Sequence, residues 1–285
     1  MDRYYQLGPV TLCMRNWPKY PQWPFASWKL DAYTTESDDF QILLEYDRHF
    51  SIAEGENWQV IESSALAKRM IQPAEGDWQL WKQVQSDGTE LKYAISGKES
   101  HIVLLQDTTL TFGMAAMEAL NFFLFPMLLR HNILTFHSAL LEHNGCGILI
   151  AAPSGVGKTT HARLWRDLKN ALILNGDRSS CFRKNGRWFA FGSPWCGTGG
   201  EQINRKVPVK ALILLRRGEQ DEIVPLTPME ILNELLPLTS CEPGMQEKLL
   251  SLLDPFLNEI PVTALACTAT PQAVQTLEAW LEALP

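Results

Sequence analysis

A short stretch near the middle of the chain carries residue types that hold phosphate. It reads Ala152-Pro-Ser-Gly-Val-Gly-Lys-Thr159 and fits the phosphate-binding loop pattern, except that alanine stands in place of the first glycine. Gly155 and Gly157 permit a tight turn that points backbone N–H groups inward. Lys158 adds a mobile positive charge, and the Thr159 hydroxyl can bind Mg²⁺. The stretch predicts a site for the phosphates of a nucleotide.

The flanking segments agree with this interpretation. The apolar run GILIAA before the loop predicts a buried central strand, and THARLWRDL after it has helical spacing. A helix that begins there presents its positive end to the same anion. The alternative is a small-residue turn between a strand and a helix, with a lysine on the surface. The residues predicted to contact the nucleotide are Ser154, Gly155, Val156, Gly157, Lys158, Thr159 and Thr160.

A phosphate-binding loop also needs a carboxylate for the metal ion. The strand-like run ALILNGD ends at Asp177, and a strand beside the loop strand would bring this residue to the phosphates. We therefore predict that Thr159 and Asp177 bind Mg²⁺. The alternative is that Asp177 only forms an Asn-Gly-Asp turn, which is a favourable turn sequence by itself.

Three segments in order resemble one enzyme family. They are FHSALLE with His137, PSGVGKTT, and LILNGD. Together they resemble the C-terminal catalytic domain of HPr kinase/phosphorylase and the wider group of HPr-kinase-related proteins, which are distant in fold from ATP-type phosphoenolpyruvate carboxykinase. The segment FGSPWCGTGGEQINRKVPVKALILLRRG resembles the smaller HPr-kinase-like proteins of unassigned substrate. The resemblance covers residues 134–218 well and the remainder more loosely.

The resemblance implies ATP- and Mg²⁺-dependent phosphorylation of a hydroxyl. The acceptor would be a serine of a peptide or carrier protein, or a small-molecule alcohol. In the family the strand after the loop ends in two adjacent aspartates, one proposed as base and one for metal, whereas this chain has Gly176-Asp177. Either Asp177 performs both tasks, or another residue supplies the base, or the chemistry differs. His137 matches a family histidine that tunes the acid; without the resemblance it would be read as a core residue. Glu142 is a fallback carboxylate on the opposite strand face.

Basic and glycine-rich segments follow the predicted acid. The segment from Gly192 to Gly200 is either a flexible connection or a loop that closes over the phosphates, with Trp195 covering the base or the acceptor. Arg205 is predicted to stabilise charge on the transferred phosphoryl group, and Arg178 is a second candidate for that role. Arg216 and Arg217 are predicted to lie on the surface at the far end of a strand, KALILLRRG.

Composition limits the class of protein. The chain has 285 residues, a net charge of −7 and 46% hydrophobic residues, which is typical of a globular protein without a broad nucleic-acid or anionic-membrane surface. Its N-terminus lacks the pattern of a secretory signal, and its most apolar segment contains Glu118, Asn121 and Pro126, so it predicts a buried helix. The six cysteines are scattered, without metal-ligand spacing, which favours reduced thiols in the cytoplasm.

The residue composition and pattern change along the sequence, which predicts two domains. Residues 1–110 contain most of the tryptophans and short runs that alternate apolar and polar residues, as in antiparallel strands. They predict a small β-rich or α+β domain that recognises the acceptor. Residues 111–285 predict a catalytic domain that opens with a helix over 113–130. The tryptophans of the first domain favour an ordinary core, and the alternative is that they form a ligand pocket.

The fold prediction is an α/β P-loop kinase core, with a mixed sheet and flanking helices, preceded by the β-rich domain. The leading function is a kinase that uses Asp177, His137, Lys158 and Arg205 as catalytic residues, with ATP and Mg²⁺ as cofactors. The alternatives are a nucleotide-binding sensor or peptide-binding partner that has lost transfer activity, and an NTP hydrolase. A carboxykinase would need further basic residues and a His/Asp metal set that the sequence lacks.

Overall fold

The structure, a computed structural model, describes residues 2–17, 30–47, 49–63, 67–86, 88, 90–105 and 120–285. Within it the chain divides into two compact units. The first comprises Met1–Pro24 and Tyr33–Leu124, and the second comprises Phe25–Ala32 and Phe125–Pro285. The molecule is therefore a mixed α/β protein in which each unit contains a large sheet.

The first unit contains a sheet with the strand order β1-β2-β3-β8-β7-β6-β5-β4. The strands are β1 (Arg3–Leu7), β2 (Val10–Arg15), β3 (Ile42–Tyr46), β4 (Gln59–Ser63), β5 (Ala67–Pro73), β6 (Trp78–Gln85), β7 (Glu90–Ser96) and β8 (His101–Leu104). A short 3₁₀ turn covers Leu30–Tyr33. The strand-like runs FQILLEY, WQVIES, WQLWKQVQ, LKYAISG and HIVLLQ of the sequence correspond to β3, β4, β6, β7 and β8.

The pairing in this sheet is mixed, which corrects the expectation of antiparallel strands. Strand β3 pairs in parallel with both β2 and β8, whereas the pairs from β8 through β4 are antiparallel. Ile42 and Leu44 of β3 are completely buried. Parallel neighbours need long connections, and long segments do separate β2 from β3 and β3 from β8.

The described tryptophans of this unit pack against neighbouring side chains. Trp17 is buried, Trp78 packs edge-on against Phe50, and Trp81 packs edge-on against Phe123. These contacts favour the core interpretation of the aromatic residues. Trp23 and Trp28 lie outside the described residues.

The second unit contains both strands and helices, as its sequence predicts. Its strands are β9 (Ile133–His143), β10 (Cys146–Ala151), β11 (Leu172–Asn175), β12 (Arg178–Lys184), β13 (Arg187–Phe191), β14 (Lys206–Arg217), β15 (Glu222–Val224) and β16 (Val262–Cys267). Its helices are α1 (Lys158–Lys169), α2 (Pro228–Leu235), α3 (Gln246–Glu259) and α4 (Pro271–Glu282).

Short helical pieces complete the description. Leu120–Leu124 is a π-helix that leads into one α-turn at Phe125–Met127 and a 3₁₀ turn at Leu128–His131, which ends at the left-handed Asn132. This end is the one predicted for the helix over 113–130, whose residues 113–119 lie outside the described part. Further 3₁₀ turns cover Gly197–Gly199 and Leu236–Leu238. No helix in the described part of the chain is long and apolar enough to cross a membrane.

The long strands β9 and β14 organise the second sheet. The first half of β9 pairs with β12, and its second half pairs with β10 and β11. The start of β14 pairs with β13, and its remainder runs parallel to β10 and β16. The sequence predicts β11 beside the loop strand β10. Instead it pairs with β9, because β14 occupies the other edge of β10.

Helices cover both faces of this sheet. Leu235 of α2 and Phe256 of α3 pack against one face, with Leu149 and Leu212 of the central strands. Trp165 of α1 and Leu277 of α4 pack against the other face. Because β10 and the central part of β14 are covered on both sides, the runs GILIA and ALILL within them are apolar throughout, which is why the sequence predicts buried strands there.

Candidate functional site

The loop between β10 and α1 turns at two glycines, as predicted. Gly155 has φ of 80° and Gly157 has φ of 127°, values that side chains other than glycine rarely adopt. Gly157 is the N-cap of α1 and carries no side-chain cap, and its carbonyl accepts the first helical bond from the N–H of His161. The free N–H groups of the first helical turn therefore point at the loop, where an anion is favoured.

Lys158 lies over this loop. Its Nζ donates hydrogen bonds to the carbonyl oxygens of Ala152, at 2.8 Å, and Pro153, at 3.3 Å. The side chain is buried, and this burial lowers the pKa of Lys158 below its ordinary value, whereas the charge of Asp177 opposes the shift. The ammonium group is thus held at the loop and faces a carboxylate.

The register of β9 and β12 brings His137 and Asp177 together. Arg178 pairs with His137, and the N–H of Ser138 donates to the carbonyl of Asp177 at 3.0 Å. As a result Nε2 of His137 lies 3.2 Å from Oδ1 of Asp177. The chain places an imidazole and a carboxylate in contact at the edge of the sheet where the loop lies.

Asn175 fixes the turn that carries Asp177, a role that the sequence interpretation missed. Its Oδ1 accepts from the backbone N–H groups of Asp177, at 2.8 Å, and Arg178, at 2.7 Å. Its Nδ2 donates to the carbonyl oxygens of Ser193 and Trp195. The available signal was an asparagine two residues before the acid, because that spacing lets the side chain bond to the following backbone.

The electrostatics around Asp177 keep it ionised. Burial by itself would raise the pKa of Asp177, but the hydrogen bond from His137 and the nearby charges of His137, Arg178 and Lys158 lower it below its ordinary value. The Nε of Arg178 lies 3.7 Å from Oδ2 of Asp177, and its Nη1 donates to Oγ of Ser240. Arg178, the second arginine candidate, is thus beside the acid.

A cavity of about 300 Å³ unites most of the predicted site residues. Those that line it are His137, Ser154, Gly155, Gly157, Lys158, Thr159, Thr160 and Asp177, together with Gly176, Cys196, Gly197 and Gly199. The hydroxyl of Thr159 and the carboxylate of Asp177 offer the oxygen ligands that Mg²⁺ prefers, with room for the water molecules that it usually retains. The described residues contain no group of three His, Cys, Asp or Glu side chains that could hold a metal by themselves.

Two predicted site residues lie elsewhere. Val156 packs on the core beneath α1 and lines a neighbouring cavity. Arg205 does not line the 300 Å³ cavity, and its guanidinium pairs with Glu142 at 2.8 Å. Glu142, the fallback carboxylate, is buried on β9; its Oε1 takes part in this pair, and its Oε2 has no hydrogen-bond partner among the described residues. The prediction placed Arg205 at the transferred phosphoryl group because it follows the glycine-rich segment in the sequence. In the structure Arg205 lies beside Glu142, outside the 300 Å³ cavity.

The glycine-rich segment after β13 is packed rather than flexible. Trp195 is buried against Phe125, with ring centroids 5.7 Å apart, so the expectation that it covers a ligand is wrong. A Cβ at Gly192 would lie 2.1 Å from the carbonyl oxygen of Ile203 and 2.4 Å from that of Leu174. Glycine is required there because two backbone segments cross in close contact.

Glu201 is a second carboxylate near the cavity that the sequence interpretation overlooked. Its Oε1 accepts from Nε of Arg163 at 2.8 Å, whereas its buried Oε2 has no hydrogen-bond partner among the described residues. A Cβ at Gly199 would lie 2.6 Å from this Oε2 and 3.7 Å from Cγ2 of Thr159. The glycine makes room for the carboxylate behind the cavity wall, near the predicted metal ligand Thr159.

Comparison with known proteins gives two findings. The sequence model of the family described as "SynChlorMet cassette protein ScmC" matches residues 103–235. Among solved structures, the chain is similar to the Hpr(Ser) kinase/phosphatase from Coxiella burnetii, at 16% identity, with 52% of this chain and 98% of that chain covered and a TM-score of 0.31. This superposition is too weak to support an inference about fold or activity. No curated protein sequence matches the chain.

Proposed function

We propose that the second unit binds ATP with Mg²⁺ and transfers the γ-phosphoryl group to a hydroxyl. The observation that carries this proposal is the convergence of Lys158, Thr159, His137 and Asp177 on one cavity. Lys158 and Thr159 lie in the first turn of α1, His137 lies in β9, and Asp177 lies in the turn between β11 and β12. A structural turn with a surface lysine would not require an ionised carboxylate and an imidazole opposite it.

The loop and its lysine hold the phosphates in this proposal. The backbone N–H groups of residues 154–159 bind phosphate oxygens, and Lys158 moves from the carbonyls of Ala152 and Pro153 to the terminal phosphates. Thr159 and Asp177 hold Mg²⁺, which supplies neutralisation of charge on the phosphates when it is bound. Phosphoryl transfer depends mainly on positioning and charge neutralisation, and these residues provide both.

Asp177 and His137 act on the acceptor hydroxyl. Asp177 accepts the hydroxyl proton as the acceptor oxygen bonds to the γ-phosphorus, and the bond from the γ-phosphorus to the β-phosphate oxygen breaks, so that ADP leaves with its electron pair. His137 fixes the orientation of the carboxylate through the 3.2 Å contact. Asn175 and the β9–β12 register hold both groups in position before the acceptor arrives. One carboxylate can serve as base and metal ligand because the transition state needs little help from a strong base.

Glu201 is proposed as the second acid of the site. Its buried, unpartnered Oε2 lies beside Gly199 of the cavity wall, and its negative charge would favour a cation held by Thr159 and Asp177. This role would compensate for the glycine at position 176, where relatives in the resembled family have a second aspartate.

Turnover measurements test the proposal. Purified protein is incubated with Mg·ATP, and release of ADP is measured without an acceptor, with serine-containing peptides and with small alcohols. The proposal expects release that an acceptor stimulates and that Lys158→Ala abolishes. Acceptor-independent release alone would instead indicate an NTP hydrolase.

A second candidate is a sensor that binds the nucleotide without transfer. The observation that favours it is the single acid at the end of β11, with Gly176 beside Asp177. A sensor would bind ATP tightly and show no ADP release under any acceptor condition.

A further inference from the structure

A second cavity adjoins the loop on its other side. It has a volume of about 540 Å³, within the size range typical of small-molecule sites. Ser154 and Gly155 line both this cavity and the 300 Å³ cavity, so one short stretch of loop separates the two. The roles assigned above to the metal ligands, the base and the acceptor do not use this space.

The chain direction explains why the second cavity exists. Strand β14 runs parallel to β10, so its C-terminal end reaches the same sheet edge as the loop. Arg216 and Arg217, expected at a remote strand end, therefore lie beside the loop. Arg217 donates from Nη2 to the carbonyl oxygen of Gly155 at 2.7 Å, which ties the strand end to the wall shared by the two cavities.

The cavity combines an apolar surface with an ion pair. Pro153, Val156 and Leu215 supply the apolar part. Arg216 and Glu234 form a two-pronged pair at the rim, in which Nη2 and Nε of the arginine contact the two oxygens of the carboxylate. Both partners are about one-third exposed, so their outward-facing atoms remain open to a ligand.

We propose that this cavity binds the nucleoside part of the nucleotide whose phosphates occupy the 300 Å³ cavity. The inference rests on the proposed function. The planar base lies on the apolar surface and beside the guanidinium groups, which stack well on aromatic rings. The carboxylate of Glu234 accepts hydrogen bonds from the ribose hydroxyls, a chemistry for which acidic residues are used in dinucleotide sites. The triphosphate then extends along Ser154 and Gly155, which line both cavities, to Lys158.

The test compares three ligands on three proteins by calorimetric titration with Mg²⁺ present. The ligands are ATP, 2′,3′-dideoxy-ATP and inorganic tripolyphosphate. The proteins are the unaltered chain, Glu234→Ala and Glu259→Ala. Glu259 is a matched control because it also pairs with an arginine, Arg183, at similar exposure and lines neither cavity.

The expected affinities distinguish binding of the nucleoside from binding of the phosphates. The unaltered chain binds ATP at least about tenfold more tightly than tripolyphosphate. It binds the dideoxy nucleotide about fivefold less tightly than ATP. Glu234→Ala binds ATP about tenfold less tightly, no longer distinguishes it from dideoxy-ATP, and binds tripolyphosphate unchanged. Glu259→Ala behaves like the unaltered chain, and circular dichroism confirms that both variants are folded.

The contrary outcomes are distinct. If ATP and tripolyphosphate bind equally well to the unaltered chain, or Glu234→Ala weakens both to the same degree, the nucleoside site is refuted and the phosphate site stands. If neither ligand binds, the proposed function fails and the nucleoside site fails with it.

Discussion

Nε2 of His137 lies 3.2 Å from Oδ1 of Asp177, across the pairing of β9 with β12. The contact depends on backbone register, since Arg178 is the residue that pairs with His137. A shift of one residue would turn either side chain to the opposite face of the sheet. The pair therefore belongs to the architecture of the sheet and faces the loop cavity because β9 also pairs with the loop strand.

Removing the acid should abolish turnover while the nucleotide still binds. We expect Asp177→Asn to lower kcat by about 10² to 10³, because the proton acceptor and a metal ligand are lost together. His137→Gln should lower kcat by about tenfold, since it removes only the group that orients the carboxylate. Steady-state kinetics on the two variants give the comparison. A larger loss in His137→Gln than in Asp177→Asn would reverse the assigned roles.

Replacing the loop lysine should weaken nucleotide binding strongly. We expect Lys158→Ala to bind ATP about 10 to 100 times less tightly, because a charge-assisted contact to the phosphates disappears. Lys169→Ala is the control, since Lys169 lies at the other end of the same helix and pairs with Glu278. Equal affinities of the two variants would show that the phosphates bind somewhere else.

Restoring a second aspartate should not improve the enzyme. A Cβ at Gly176 would lie 3.3 Å from the carbonyl oxygen of Cys196 and 3.6 Å from Oε2 of Glu201. We expect Gly176→Asp to lower both kcat and the melting temperature, because two carboxylates would then share one buried space. Adding Glu201→Gln to the Gly176→Asp variant should recover part of the lost kcat and melting temperature. A gain in kcat from Gly176→Asp alone would argue against a role for Glu201.

The backbone crossing at Gly192 should tolerate no side chain. A Cβ there would overlap carbonyl oxygens of Ile203 and Leu174. We expect Gly192→Ala to destabilise the protein by about 3 kcal/mol, measured by chemical denaturation. Gly55→Ala provides a comparison, because a Cβ at Gly55 meets only the flexible end of Gln72. A change under about 0.5 kcal/mol for Gly192→Ala would mean that the two segments separate readily.

Cys267 should react slowly with alkylating reagents. Burial, with a contribution from Asp221, raises the pKa of Cys267 to about 11. The thiolate is the reactive form, so a raised pKa leaves less of it near neutrality, and the rate should climb steadily from pH 7 to pH 10. At pH 8 we expect iodoacetamide to modify Cys267 about a hundredfold more slowly than a free thiol, as followed by peptide mass spectrometry. A rate that levels off below pH 9 would contradict this shift.

Local patterns allowed much of the second unit to be predicted from its sequence. The apolar runs GILIAA and KALILLRRG correspond to β10 and β14, and the helical spacing of THARLWRDL corresponds to α1. Asn144 and Gly145 between β9 and β10 both adopt positive φ, as a tight hairpin requires, and Asn-Gly is a typical sequence for such a turn. The loop residues 154–160 were found because their chemistry is contained in one short segment. Only Val156 among them lies outside the 300 Å³ cavity.

Features that depend on long-range pairing were not predictable in this way. Strand β12 begins with Arg178 and was missed, because RSSCFRK has little apolar content although its middle is buried. Arg205 was assigned to the site by its position after the glycine-rich segment, whereas the β13–β14 pairing carries it to Glu142. Glu201 and Arg217 reach the loop region only through tertiary contacts, and no local pattern distinguishes them from surface charges.

The most direct test of the central claim is a calorimetric titration of the full chain with ATP, with and without Mg²⁺, repeated for Lys158→Ala and Asp177→Asn. We predict Mg²⁺-enhanced binding in the unaltered chain, strongly weakened binding in Lys158→Ala, and binding in Asp177→Asn that no longer responds to Mg²⁺. Binding that is the same in all three proteins, or no binding at all, would contradict a nucleotide site built from Lys158 and Asp177.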